Sequence, residues 1–241
     1  MTSDTRQRAL ITGASSGIGR ATAIALAQAG RDLVLVSRSS QKLTPLAQDL
    51  AATGVQVDTI PLDLSALATV KPTLEAAIAR IGPIDILINS AGMGHTGPLA
   101  TLSLADWQQV MDLNLTSVLL CMQAVLPGMR DRRSGTILNI ASVAAYNAFP
   151  DWGAYSVSKA GLVTLSRIWA AEEREHGIRV TVVAPGAVNT PLWDTDTVQA
   201  DFPRAAMLTP EIVAQAIVDT LQLPATAVVE ELKLMPGGGA F

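Results

Sequence analysis

One cysteine and two histidines in 241 residues leave little material for disulfide or metal chemistry. A lone Cys121 cannot form an internal bridge, which fits a reducing, intracellular setting. It lies in the apolar run Val118-Leu119-Leu120-Cys121-Met122, with no cationic neighbour in sequence, so a buried structural thiol is expected. His95 and His176 share no ligand spacing with each other or with the cysteine, and no metal site is expected. Charged residues are only 16% of the chain, with 17 basic against 21 acidic, which excludes an extended basic surface for nucleic acid. The pair Arg132-Arg133 reads as a solvated helix end. Aromatic residues are scarce, at 4%. No uninterrupted apolar run reaches the roughly 18 residues of a membrane-spanning helix, so no span is expected. The opening MTSDTRQRALITG lacks a basic start followed by an apolar core, so no export leader is expected and the cytoplasm is the expected compartment.

What the chain has is apolar mass, 49% of its residues, enough for one large core. Short β-branched runs alternate with longer helical patterns. Strands are predicted at 9–12, 32–37, 56–61, 84–89, 135–141, 179–184 and 228–235. Most are continuous apolar runs, as expected of parallel strands covered on both faces. Helices are predicted at 17–29, 41–52, 66–81, 103–132, 154–176 and 210–221, the long fourth one as two helices or one bent helix. Strand-helix alternation implies right-handed βαβ units. The predicted fold is therefore α/β: a single Rossmann-type doubly wound parallel sheet of about seven strands with helices on both faces, one domain over 1–241. The segment 189–207 breaks the rhythm and reads as a lid.

After the first strand comes Gly13-Ala14-Ser15-Ser16-Gly17-Ile18-Gly19, leading into a helix. Glycine admits positive φ and close backbone approach, and a helix N-terminus offers free N–H groups and a positive dipole end. Strand, glycines and helix together predict a pyrophosphate cradle, with the spacing G-x-x-x-G-x-G rather than the commoner G-x-G-x-x-G. The second strand ends in Ser37-Arg38-Ser39. An acidic residue there would accept a ribose 2′-hydroxyl, whereas a guanidinium fork suits a 2′-phosphate. NADP(H) is the expected cofactor.

Three further signals follow. Asn89-Ser90-Ala91-Gly92 closes the fourth strand, and Asn114 lies in a helical pattern. Ser142 ends the fifth strand, thirteen residues before Tyr155, and Tyr155 and Lys159 are four apart, on one helical face. Reducing a carbonyl needs a proton donor at its oxygen as hydride reaches its carbon. A free phenol titrates near 10, and a neighbouring ammonium is expected to lower that value toward the working pH. Ser142 is placed to hold the substrate oxygen.

TGASSGIG, NSAG, Asn114, Ser142, YSVSK and the run Pro185-Gly186-Ala187-Val188-Asn189-Thr190 occur in the order in which they stand in short-chain dehydrogenases/reductases, which the chain resembles over nearly its whole length. The resemblance implies that Tyr155 is the catalytic acid/base. It implies that Lys159 lowers the Tyr155 pKa and binds the nicotinamide ribose. Ser142 orients substrate, and Asn114 holds a proton-relay water near the lysine. Asp63, followed by Leu64, stands beside the adenine ring. By the same resemblance, Asn89, Ala91 and Gly92 are expected to line the cofactor cleft, and Pro185, Gly186, Val188 and Thr190 to meet its nicotinamide end. The family usually has Asn-Asn-Ala-Gly where this chain has Ser90, a change expected to alter a structural hydrogen bond.

Substrate contacts are expected from Met93, Gly94 and His95, from Val143 to Phe149, from Trp152, and from Leu192, Trp193 and Phe202 of the lid. These are mainly apolar, which suits a small, largely apolar ketone, aldehyde or alcohol. A 3-oxoacyl-[acyl-carrier-protein] reductase is the competing enzyme reading. Arg133 matches one basic rim position of that branch, while His176 stands where a second arginine is often found. A non-catalytic NADP-binding sensor is the reading from another class. The resemblance also implies a homo-oligomer, tetramer or dimer, pairing the helices at 103–132 and 154–176.

Overall fold

The computed structural model describes residues 6–200 and 202–239. Seven strands form one parallel sheet: β1 (Arg8–Thr12), β2 (Asp32–Ser37), β3 (Val57–Pro61), β4 (Ile86–Asn89), β5 (Gly135–Ile140), β6 (Ile178–Pro185) and β7 (Glu231–Leu234). Their spatial order is β3-β2-β1-β4-β5-β6-β7. The order reverses between β1 and β4, and this switch point opens a crevice beyond the strands' C-terminal ends.

The helices are α1 (Gly17–Gln28), α2 (Ser40–Ala51), α3 (Leu67–Ile81), α4 (Leu104–Met111), α5 (Ser117–Arg132), α6 (Gly153–Glu173) and α7 (Pro210–Leu221). On one face, Val70 and Leu74 of α3, Val118, Met122 and Met129 of α5, and Leu162 and Trp169 of α6 pack on Leu10, Val34 and Leu87 of the sheet. On the other, Leu26 of α1, Leu43 and Leu50 of α2, and Val213 and Ile217 of α7 pack on Ile11, Leu35 and Ile88. Alternate residues of one strand thus feed opposite cores, which is why these strands carry no polar alternation. Each such Leu or Ile contributes roughly 1.5–3 kcal/mol by leaving water.

Two departures from the sequence reading matter. The predicted helix at 103–132 contains a π-helical turn, Asp112–Thr116, between α4 and α5. The whole run Leu104–Arg132 spans 29 residues with a mean hydropathy of 1.4 in its most apolar 18-residue stretch, so it is long and apolar enough to cross a membrane by length and composition. Half of that stretch is buried inside the fold, so much of its apolarity is used by the core. The predicted strand at 228–235 shrinks to Glu231–Leu234, while Thr181 Oγ1 donates to Val229 O (2.7 Å) and holds the approach to it.

Candidate active site

β1 runs straight into the glycine turn. Gly13 has φ +66°, and a Cβ there would lie 2.9 Å from the Ala91 backbone, so the turn nests against the end of β4 in a way only glycine permits. Thr12 Oγ1 fixes the same contact by accepting from the N–H groups of Ser90 and Ala91, both at 3.1 Å. Ser16 is extended at the N-cap of α1 and its side chain makes no capping bond, leaving the first-turn N–H groups for a ligand. Arg38 follows β2. Lys42 lies in the first turn of α2, whose N-cap Ser39 accepts from Lys42 N (3.3 Å). The glycine turn, Arg38 and Lys42 line one cleft of about 600 Å³. A backbone cradle that a Cβ would obstruct, with two cations at its far end, fits a dinucleotide bearing an additional phosphate.

The middle of the cleft holds the polar residues. Ser142 ends the extended stretch after β5, and its Oγ accepts from Ala144 N (3.1 Å). The Tyr155 hydroxyl pairs with Ser142. Burial pushes the phenol above its ordinary value, and the Ser142 hydrogen bond opposes this in part. Lys159 Nζ donates to Ile140 O (2.8 Å) and lies 5.8 Å from the Tyr155 ring centre. Burial pulls this ammonium down to about 8. The expected ammonium-driven lowering of Tyr155 is therefore not what governs the cofactor-free protein: there desolvation dominates both groups.

Asn114 is fully buried and stands behind the cleft. Its Oδ1 accepts from Met93 N (2.8 Å), and its Nδ2 donates to Met93 O (2.9 Å) and Ser158 Oγ (3.0 Å). Ser158 Oγ in turn donates to Tyr155 O (2.7 Å). The π turn thus ties the loop after β4 to the helix carrying Tyr155 and Lys159. A Cβ on Gly92 would stand 3.2 Å from Asn114 Oδ1 and 3.5 Å from Lys159 Nζ, so glycine keeps the space between them open.

The third part of the cleft is apolar. Met93, Val143, Phe149, Pro150 and Trp152 form one side, and Pro191, Leu192, Trp193, Thr195 and Phe202 the other. Pro185, Gly186, Val188 and Thr190 join it to the cofactor side. The 189–207 segment contains two short 3-10 turns, Pro191–Asp194 and Arg204–Ala206, and is fastened down. Thr197 Oγ1 donates to Gly94 O (2.8 Å), Thr96 N to Thr197 O (2.8 Å), and Trp193 Nε1 to Val188 O (2.8 Å). Arg204 bonds Asn189 Oδ1 (3.0 Å) and Thr190 O (3.1 Å) and pairs with Asp194.

Several sequence-assigned residues fall outside the cleft lining. Ser15 and Gly19 of the glycine turn are not among the lining residues, and Gly19 is buried, where a Cβ would meet Gly13 O at 2.4 Å. Ser37 is buried at the end of β2, and Ser39 serves as a helix cap. Asp63 accepts from Ser65 N (2.9 Å) and Ser65 Oγ (2.7 Å); these bonds hold its carboxyl below the usual range, with Arg38 adding to the effect. Leu64 belongs to the core. Asn89 is a strut between strands, its Nδ2 donating to Asn139 Oδ1 (2.8 Å). His95 is not among the lining residues, and its Nε2 lies 4.0 Å from Asp106 Oδ2. Lys42, Pro150, Pro191 and Thr195 were missed. Lys42 had one available signal, a cation one helical turn after Arg38.

The family model described as short chain dehydrogenase matches residues 7–200. The chain is 38% identical over 240 residues to a sepiapterin reductase of Chlorobaculum tepidum, covering 95% of this chain and 96% of that protein. It is 35% identical over 245 residues to a 3-oxoacyl-[acyl-carrier-protein] reductase of Synechocystis, covering 99% and 98%. Among solved structures, an alcohol dehydrogenase from Thermococcus sibiricus complexed with 5-hydroxy-NADP superposes with a TM-score of 0.88 at 30% identity, over 96% of this chain and 97% of that one.

Proposed function

The chain belongs to the short-chain dehydrogenases, and from that premise we propose that it is an NADP-dependent reductase of a small, largely apolar ketone or aldehyde, or a dehydrogenase of the matching alcohol. The observation that carries this reading is the meeting of Ser142, Tyr155 and Lys159 midway along a cleft with a cationic phosphate end and an apolar end. The nicotinamide supplies or accepts the hydride. The protein's own groups handle the proton and the geometry. Ser142 donates a hydrogen bond to the carbonyl oxygen, Tyr155 passes its phenolic proton to that oxygen, and Lys159 stabilises the phenolate left behind. Overall one carbonyl, one NADPH and one proton give one alcohol and one NADP+. Arg38 and Lys42 favour the cofactor bearing the 2′-phosphate.

The acyl-carrier reading keeps the support of the Synechocystis relative, but the residues singled out for it lie elsewhere. Arg133 caps α5 with φ +50°, and its Nη2 donates to Glu175 O (2.5 Å). Both Arg133 and His176 precede strands, at the sheet end opposite the cleft. The sensor reading loses ground because the proton-handling set is intact.

One experiment tests the proposal: ketone reduction driven by NADPH and by NADH, in the unaltered protein, Tyr155→Phe and Arg38→Asp. Tyr155→Phe is expected to lose activity at least about 100-fold, the scale of a missing general acid. Arg38→Asp is expected to lose its NADPH preference while keeping turnover with NADH. Undiminished turnover in Tyr155→Phe would refute the chemistry; an unchanged cofactor ratio in Arg38→Asp would refute the NADP assignment.

A further inference from the structure

Aromatic residues are rare in this chain: four Trp, two Tyr and three Phe. Among the described residues, five of them line this cleft, on its substrate side: Phe149, Trp152, Tyr155, Trp193 and Phe202. Four of them form an unbroken edge-to-face series that starts at the proton donor. Tyr155 and Trp152 have ring centres 5.3 Å apart at 67°, Trp152 and Trp193 5.6 Å at 68°, and Trp193 and Phe202 5.3 Å at 74°. Rings so arranged stand nearly perpendicular in turn, so each pair forms a corner of one π-face and one ring edge. A flat conjugated ring can stack on one wall while the hydrogens of the other wall meet its face; a puckered saturated ring can lay C–H bonds on the first wall but offers no π-face to the hydrogens of the second.

The backbone is shaped to present this wall. Asp151, just before Trp152, holds φ +66°, a left-handed conformation rare for a residue with a Cβ, and its carbonyl accepts from Gly97 N (2.8 Å). Trp193 has its indole N–H engaged by Val188 O, which fixes the ring so that it faces the cleft as a surface and not as a donor. The charged side chains lining the cleft are Arg38, Lys42 and Lys159, of which two stand at the phosphate end and the third lies beneath Tyr155. Among the described residues, no carboxylate or guanidinium lines the aromatic part.

We propose that the substrate is an uncharged aryl carbonyl compound, or the matching aryl carbinol: a flat aromatic ring directly attached to the reacting carbon. This rests on the reductase reading above and adds the substrate class to it. Trp152 and Trp193 are then specificity-determining residues, because a ring lodged at their corner adjoins the Ser142–Tyr155 pair where the carbonyl oxygen must sit.

The test compares acetophenone with cyclohexyl methyl ketone, which share a carbon skeleton and differ in the flatness of the ring. NADPH-driven kcat/KM is measured for both in the unaltered protein, Trp193→Leu and Trp193→Phe. The unaltered protein is expected to favour the aryl ketone. Trp193→Leu is expected to lower that ratio roughly three- to tenfold, mainly through the KM of the aryl ketone. Trp193→Phe, which keeps an aromatic face, is expected to restore most of it. Equal or better use of the cyclohexyl ketone by the unaltered protein, or a ratio indifferent to Trp193→Leu, would overturn the proposal while leaving the reductase reading standing. Turnover of neither ketone by a protein that binds NADPH would overturn both.

Discussion

Lys159 and Tyr155 were legible because the phenol and the ammonium sit four apart on a helix, and a local spacing survives folding unchanged. Their titration was not legible, because desolvation depends on what the fold places over them. The depressed ammonium has a consequence for stability. Between about pH 8 and its ordinary value of 10.5, Lys159 is protonated in the unfolded chain and increasingly neutral in the folded one. The unfolded state binds more protons there, so stability rises with pH over this window and is lower below it. The Cys121 thiol, pushed by burial from 9.0 up to about 12, acts in the opposite sense from about pH 9, and the raised phenols of Tyr155 and Tyr146 do so above about pH 10, which leaves pH 8 to 9 as the interval in which Lys159 leads. The urea midpoint of the cofactor-free protein is therefore expected to climb from pH 8 to 9. The gain over that unit of pH is at most about 1.4 kcal/mol, one proton's worth. Lys159→Met removes the titration and should flatten the climb; the same slope in that variant would contradict the assignment.

The strands and helices were legible because parallel strands covered on both faces read as unbroken apolar runs. The π turn was not, since the apolar periodicity on either side of Asn114 continues through it. Nor was the docking of the 189–207 segment, because its anchors join residues about a hundred positions apart: Thr197 to Gly94, and Gln199 N to Thr96 Oγ1 (2.7 Å). His95, next to Gly94, lies 4.0 Å from Asp106 in the first turn of α4. Gly94 is the tightest joint between these two segments. A Cβ there would stand 2.6 Å from Val198 Cγ2 and 3.1 Å from Leu192 Cδ2, both side-chain atoms of the lid. Gly94→Val is expected to push the lid outward and raise the KM for ketone by about tenfold, the loss of roughly 1.4 kcal/mol of substrate contact. The dissociation constant for NADPH should stay within twofold, since the phosphate end is far from this joint. A weakened NADPH affinity with an unaltered KM would show that the joint serves the cofactor instead.

At the scale of the whole molecule, the two helices that flank the active-site face of the sheet carry apolar residues on both sides, and the monomer uses only one. Leu162, Val163 and Trp169 of α6 point into the core, while Val157 and Ile168 of the same helix are 45% and 50% exposed. Leu115 in the π turn and Leu119 and Leu120 of α5 are only half-covered. Val157, Thr164 and Ile168 recur at helical spacing as exposed positions, beside Gly161, over which Leu115 of the same chain lies, so that the two helices together present one apolar strip of the kind that packs on another helix. A second copy offering the same face would cover it by two-fold symmetry. The protein is accordingly expected to run in light scattering or sedimentation as a dimer or tetramer at micromolar concentration. Val157→Asp with Ile168→Asp should shift it to a smaller species, because two carboxylates would then be buried against apolar partners without counter-ions. α6 also carries Tyr155 and Lys159, so the smaller species should lose turnover along with assembly. A monomeric unaltered protein would end the expectation, and a double variant that stays assembled would move the interface to another face.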